Sequence, residues 1–104
     1  MKRLLFFLSL LLSLQLSARD KIKVACVGNS VTFGYNLPDR ATQAYPVRLQ
    51  QMLGERYEVK NFGHSGATLL NKGHNPYTHL PEFKDAVRYK ADWVVIHLGL
   101  NDTD

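Results

Sequence analysis

Three short clusters of glycine and small polar residues carry the chemical potential of this 104-residue chain. They are Gly28-Asn29-Ser30-Val31-Thr32-Phe33-Gly34, Asn61-Phe62-Gly63-His64-Ser65-Gly66-Ala67-Thr68 and Gly99-Leu100-Asn101-Asp102. Acyl transfer needs a nucleophile at a sharp turn and donors aimed where negative charge develops on the acyl oxygen. Ser30 suits the nucleophile and the Asn101 amide suits a side-chain donor. Gly66 suits a close backbone N–H donor, because a side chain there would crowd the substrate. Each cluster alone is also ordinary turn composition. Two other glycine-rich readings fail. Residues 28–34 do not spell the dinucleotide fingerprint G-x-G-x-x-G, and no G-x-x-x-x-G-K-[ST] phosphate loop occurs.

Each cluster follows a strand pattern, and that supplies the means of bringing them together. Residues 22–27 form a short β-branched run that ends at Gly28. Residues 56–60 alternate polar and apolar, as a half-exposed strand at a sheet edge does. Residues 93–98 are nearly continuously apolar, which suits a strand covered on both faces of a parallel sheet. Between the first two strands, Tyr45, Leu49, Met52 and Leu53 share one helical face, with Pro46 in the first turn and Gly54 at the stop. Leu69 and Leu70 are read as a short helix ended by Gly73, and residues 74–81 as loop. Pro81 opens a helix carrying Phe83, Ala86 and Val87 inward. The order strand, helix, strand, helix, strand predicts an α/β fold with a parallel sheet and right-handed crossovers. In such a sheet the carboxyl ends of the strands share one edge, where ligands bind. Three clusters distant in sequence are then expected to meet in space.

Bulk properties narrow the setting. Lys2 and Arg3 precede an apolar run over residues 4–12, and Leu16-Ser17-Ala18 offers a small residue for cleavage. Residues 1–18 therefore read as a secretory signal peptide, with export to the periplasm or the extracellular space. The apolar run is too short for the roughly 20 residues of a spanning helix, so no stable membrane anchor is expected. Cleavage would remove Lys2 and Arg3 and lower the net charge from +4 to +2. No cluster of Lys and Arg marks a nucleic-acid surface. The single cysteine, Cys26, lies in a strand pattern and reads as a small buried hydrophobe, with no internal disulfide. No His, Cys and Asp cluster has metal-ligand spacing. Oligomeric state is open.

The three clusters in this order resemble blocks I, II and III of the SGNH hydrolases, also called GDSL esterases and lipases. Gly28-Asn29-Ser30 resembles the G-D-S nucleophile block, the segment around Gly66 the glycine block, and Gly99-Leu100-Asn101-Asp102 the G-x-N-D block. The chain is similar to bacterial carbohydrate O-acetylesterase-like members, including sialate O-acetylesterases. The resemblance covers residues 22–104 and implies a three-layer α/β/α sandwich of the flavodoxin-like type, with sheet order 2-1-3-4-5. It implies Ser30 as nucleophile, with its own N–H, the N–H of Gly66 and the Asn101 side chain around the oxyanion. The implied substrate is a carbohydrate or small-molecule ester, hydrolysed without a cofactor.

Two departures qualify the resemblance. Asn29 stands where the family has Asp, a swap of similar size and reach that is expected to matter little. The D-x-x-H block that supplies the base histidine and its acid is absent, and none of the four histidines sits three residues after an Asp. His64, beside the glycine block, is a candidate substrate contact or a loop residue without a role. His74 and His79 read as solvated and His97 as a core residue. Asp102 reads as structural. Residues 19–104 are thus expected to be the N-terminal portion of a hydrolase domain, nearly inactive alone, with residues 93–98 left as an open apolar edge. The alternatives are an exported, non-catalytic ligand-binding module and a fragment without function.

Overall fold

The computed structural model describes residues 20–103, and the segment read as an export signal lies outside them. The elements run β1 (Ile22–Gly28), α1 (Ser30–Phe33), α2 (Arg40–Gln43), α3 (Tyr45–Leu53), β2 (Tyr57–Gly63), a 3₁₀ turn (Tyr77–His79), α4 (Pro81–Tyr89), β3 (Trp93–His97) and a second 3₁₀ turn (Leu100–Asp102). The strands form one parallel sheet in the order β2-β1-β3. That is the arrangement the resemblance implies for the first three strands.

Side chains of β1 alternate between the two faces of the sheet, and both faces are covered. On one face, Gly28 leaves no room for a Cβ because the Thr32 side chain of α1 sits against it. The Tyr45 hydroxyl at the start of α3 hydrogen-bonds the Thr32 hydroxyl at 3.2 Å. On the other face, Val27 packs with Ala67 and Tyr77, and Leu80, Phe83, Ala86 and Leu98 close around them. Helices therefore flank both faces of the central strand, as in a three-layer α/β/α sandwich.

Four local expectations need correction. β2 runs on through Gly63, so Asn61, Phe62 and Gly63 are strand and not loop. They stay in register because each has a partner on β1, ending with Gly28 opposite Gly63. Leu69 and Leu70 form no helix; both lie exposed in a bend, and Gly73 instead makes room for the buried Thr68 side chain. Met52 does not face the core of α3 but is 84% exposed, while Pro46 is buried and Gln50 turns inward to the chain of β2. Val87 is exposed on the outer side of α4.

The apolar pattern of β3 suggests a strand covered on both faces, but among the described residues β3 is an open edge. All five of its residues are exposed, including Trp93 and Ile96. His97 is exposed with them and is not a core residue. Between β3 and α4 lies an apolar groove of about 450 Å³, lined by Val27, Phe83, Ala86, Val94, Ile96 and Leu98 among others. No helix among the described residues is long and apolar enough to cross a membrane.

Candidate active site

Gly28 pairs with Gly63 on one side and with His97 on the other, so the three strands end at the same level of the sheet. The three polar clusters leave from that one edge. Backbone hydrogen bonds continue past it, from His64 N–H to Gly28 C=O at 3.0 Å and from Asn29 N–H to His97 C=O at 3.3 Å.

The first cluster turns sharply from strand to helix. Asn29 is fully buried, and its Oδ1 accepts the N–H of Val31 at 3.2 Å, the cap that starts α1. Ser30 is the first residue of α1 and half-buried, and Gly34 ends the turn at φ +93°. The helix lies close on the sheet because Gly63 has no side chain; a Cβ there would meet the backbone of Phe33. Asn61 fixes the same contact from β2. Its Nδ2 donates to the Thr32 C=O at 2.7 Å, and its Oδ1 accepts the Gly63 N–H at 2.8 Å.

The second cluster opens with a tight turn closed by the Ala67 N–H on the His64 C=O at 3.2 Å. Gly66 occupies the third position of this turn at φ +84°, a left-handed conformation that side chains disfavour. The nearest atom to a Cβ built there is Asn75 Nδ2 at 3.9 Å. Within this chain, then, backbone conformation is what calls for glycine at 66. The His64 ring turns toward α4, where its Nδ1 lies 3.0 Å from Oε1 of Glu82. A carboxylate only accepts, so Nδ1 carries the proton. Burial pushes the Glu82 carboxyl up, but the hydrogen bond to His64, a hydrogen bond from the backbone of Glu82 itself and the charge of His64 together outweigh it, and the pKa is lowered.

The third cluster is tied to the second by side chains. Asn101 Nδ2 donates to the Ala67 C=O at 3.0 Å. Asp102 accepts the Leu69 N–H at 2.9 Å and the Leu70 N–H at 2.7 Å, one on each carboxylate oxygen. Ser30, Gly66, Asn101 and His64 thus all lie on loops at one sheet edge, and the Gly66 and Asn101 loops are in direct contact. His74 and His79 are exposed on the intervening loop.

Ser30 thus stands at a helix start on the same sheet edge as the Gly66 loop and the Asn101 amide. The sequence profile of the GDSL-like Lipase/Acylhydrolase family matches residues 26–104. The chain belongs to this family. An acetylxylan esterase of Xylanibacter ruminicola is 52% identical to it over 84 residues, 81% of the chain. The chain spans 18% of that relative's length. No solved structure matches it significantly.

For a GDSL-like chain the Asn29 substitution now has a physical reading. The cap needs only one acceptor oxygen, and Asn supplies it. Its Nδ2 is buried with no hydrogen-bond partner among the described residues. Glu82 and Tyr77 escaped the sequence reading. Glu82 is 18 residues from the His64 it binds, with no motif linking the two. Tyr77 is buried, and its hydroxyl donates to the Phe62 C=O at 2.6 Å, steadying the end of β2.

Proposed function

We propose that the protein carrying this segment is a serine ester hydrolase that removes O-acetyl or other short acyl groups from a carbohydrate. Family membership supports the ester hydrolase, and the direct contact of the Asn101 amide with the Gly66 loop, on the sheet edge where Ser30 starts α1, is the observation that supports the mechanism. The Ser30 Oγ attacks the acyl carbon and yields its proton to a base, leaving a tetrahedral oxyanion. The N–H groups of Ser30 and Gly66 and the Asn101 amide face that oxygen. An amide nitrogen has two hydrogens, so the bond to Ala67 leaves Asn101 one to donate. Collapse expels the sugar oxygen with a proton from the base, and water then cleaves the acyl-serine by the same route. The base is the histidine of the D-x-x-H segment that the resemblance implies and this sequence does not contain. Residues 19–104 alone are accordingly nearly inactive. His64, held by Glu82, is a candidate contact to the sugar.

The relative's name favours acetylated xylan as the glycan, with an acetylated sialate as the other choice. Export under the signal at residues 1–18 fits either, since both glycans lie outside the cytoplasm in this reading. The test is acetate release from acetylated xylan and from O-acetylated sialate by the full-length gene product. Release from xylan, lowered by on the order of 10³-fold or more in Ser30→Ala, is expected. Full activity in Ser30→Ala would refute the proposal, and release from the sialate alone would move the substrate. A module that only binds would hold the glycan equally well with and without Ser30 and release no acetate.

A further inference from the structure

We propose that Asp102 is a positioning residue, whose carboxylate locks the loop after β3 to the loop after β2 and so keeps the Asn101 amide and the Gly66 N–H in fixed relation. The inference rests on the hydrolase reading and adds to it a residue that touches neither substrate nor the reacting atoms.

The Leu69 and Leu70 side chains are exposed, so apolar packing does not hold this stretch of backbone. Its two successive N–H groups point at Asp102, each on its own oxygen at 2.9 and 2.7 Å. Hydrogen bonds to an ionised acceptor are about twice as strong as neutral ones. Between Gly66 and this anchor lie only Ala67, whose C=O takes the Asn101 amide, and the buried Thr68, whose hydroxyl donates to the Leu70 C=O at 3.1 Å. The two loops are therefore joined at adjacent points by adjacent residues, Asn101 and Asp102. The Asn101 link alone is a single neutral bond from a side chain on a three-residue 3₁₀ turn. The Asp102 clamp adds two charge-assisted bonds beside it.

The test uses the full-length gene product, with kcat and KM for acetyl-ester hydrolysis and amide hydrogen exchange over residues 66–70. Misplacing a catalytic group by 1 Å can cost on the order of 10²-fold. Asp102→Ala is expected to lower kcat by about 10- to 100-fold, on that same footing, to leave KM nearly unchanged and to speed exchange at Leu69 and Leu70. Asp102→Asn keeps one acceptor and the same shape, so its kcat should fall between wild type and Asp102→Ala. If Asp102→Ala does not fold, Asp102→Asn carries the test alone, with lowered kcat at unchanged KM and a native circular dichroism spectrum. Wild-type kcat in either folded variant would overturn the positioning role while leaving the hydrolase reading intact. A wild-type protein that hydrolyses no ester would overturn both.

Discussion

At the scale of single residues, the His64–Glu82 bond makes a pH-dependent tie between the glycine loop and α4. The Glu82 carboxyl has a folded pKa below its ordinary value of 4.5. A depressed carboxyl stabilises the fold above its unfolded pKa, and that contribution is lost as pH falls through the lower, folded value. The melting temperature should therefore drop on acidification below about pH 4.5, the ordinary carboxyl value, and Glu82→Gln should flatten that part of the profile. A Glu82→Gln variant with the wild-type acid limb would show the bond to be inconsequential. That Ser30, Gly66 and Asn101 lie at one sheet edge was legible in the sequence, because each sits in a short motif directly after a strand. Glu82 was not, because the sequence records its chemistry but not which loop folds against α4. The reason for glycine at 66 was also only half visible. The motif pointed to a close approach by substrate, whereas the chain's own requirement is the left-handed φ.

At the scale of elements, polar side chains turned inward do work that hydrophobic periodicity cannot register. Gln50 is the case in α3. Its amide donates to the Gly54 C=O at 3.1 Å and the Tyr57 C=O at 2.9 Å, and accepts the Val59 N–H at 2.7 Å. It joins the helix to the edge strand β2, at the strand's outer side where no neighbouring strand satisfies these groups. Counting apolar residues at helical spacing put Met52 on the inner face instead, and Met52 is solvent-exposed. Partly buried backbone groups left unpaired cost about 1–3 kcal/mol. Gln50→Ala should thus lower the unfolding free energy by about 2 kcal/mol in denaturant titration, and a loss under about 0.5 kcal/mol would mean that water replaces the amide. The strands themselves were legible in kind and order, because β-branched runs and their glycine ends are local signals. Their ends were less so. β2 reaches Gly63 through Asn61 and Phe62, whose strand pairing depends on β1 and not on their own propensity.

At the scale of the whole molecule, the three polar clusters share one sheet edge, and another edge is left uncovered among the described residues. β1 is covered on both faces and both sides, while β3, among the described residues, pairs with β1 alone and exposes five residues. The apolar pattern of residues 93–98 anticipated an interior strand, and the groove beside it is apolar in the same way. The reacting edge is a whole-molecule property too. The Ser30, Gly66 and Asn101 segments share one edge because β1, β2 and β3 end level, at Gly28, Gly63 and His97, and their loops are cross-linked by Asn61, Asn101 and Asp102. If Ser30 is the nucleophile of the proposed hydrolase, it should react with a fluorophosphonate, which mimics the tetrahedral acyl intermediate. The decisive measurement is mass spectrometry of the full-length gene product after that reaction, with peptide mapping. The account predicts one adduct per chain, on the peptide containing Ser30, and none in Ser30→Ala. An adduct on a different residue, or hydrolysis that survives in Ser30→Ala, would contradict it.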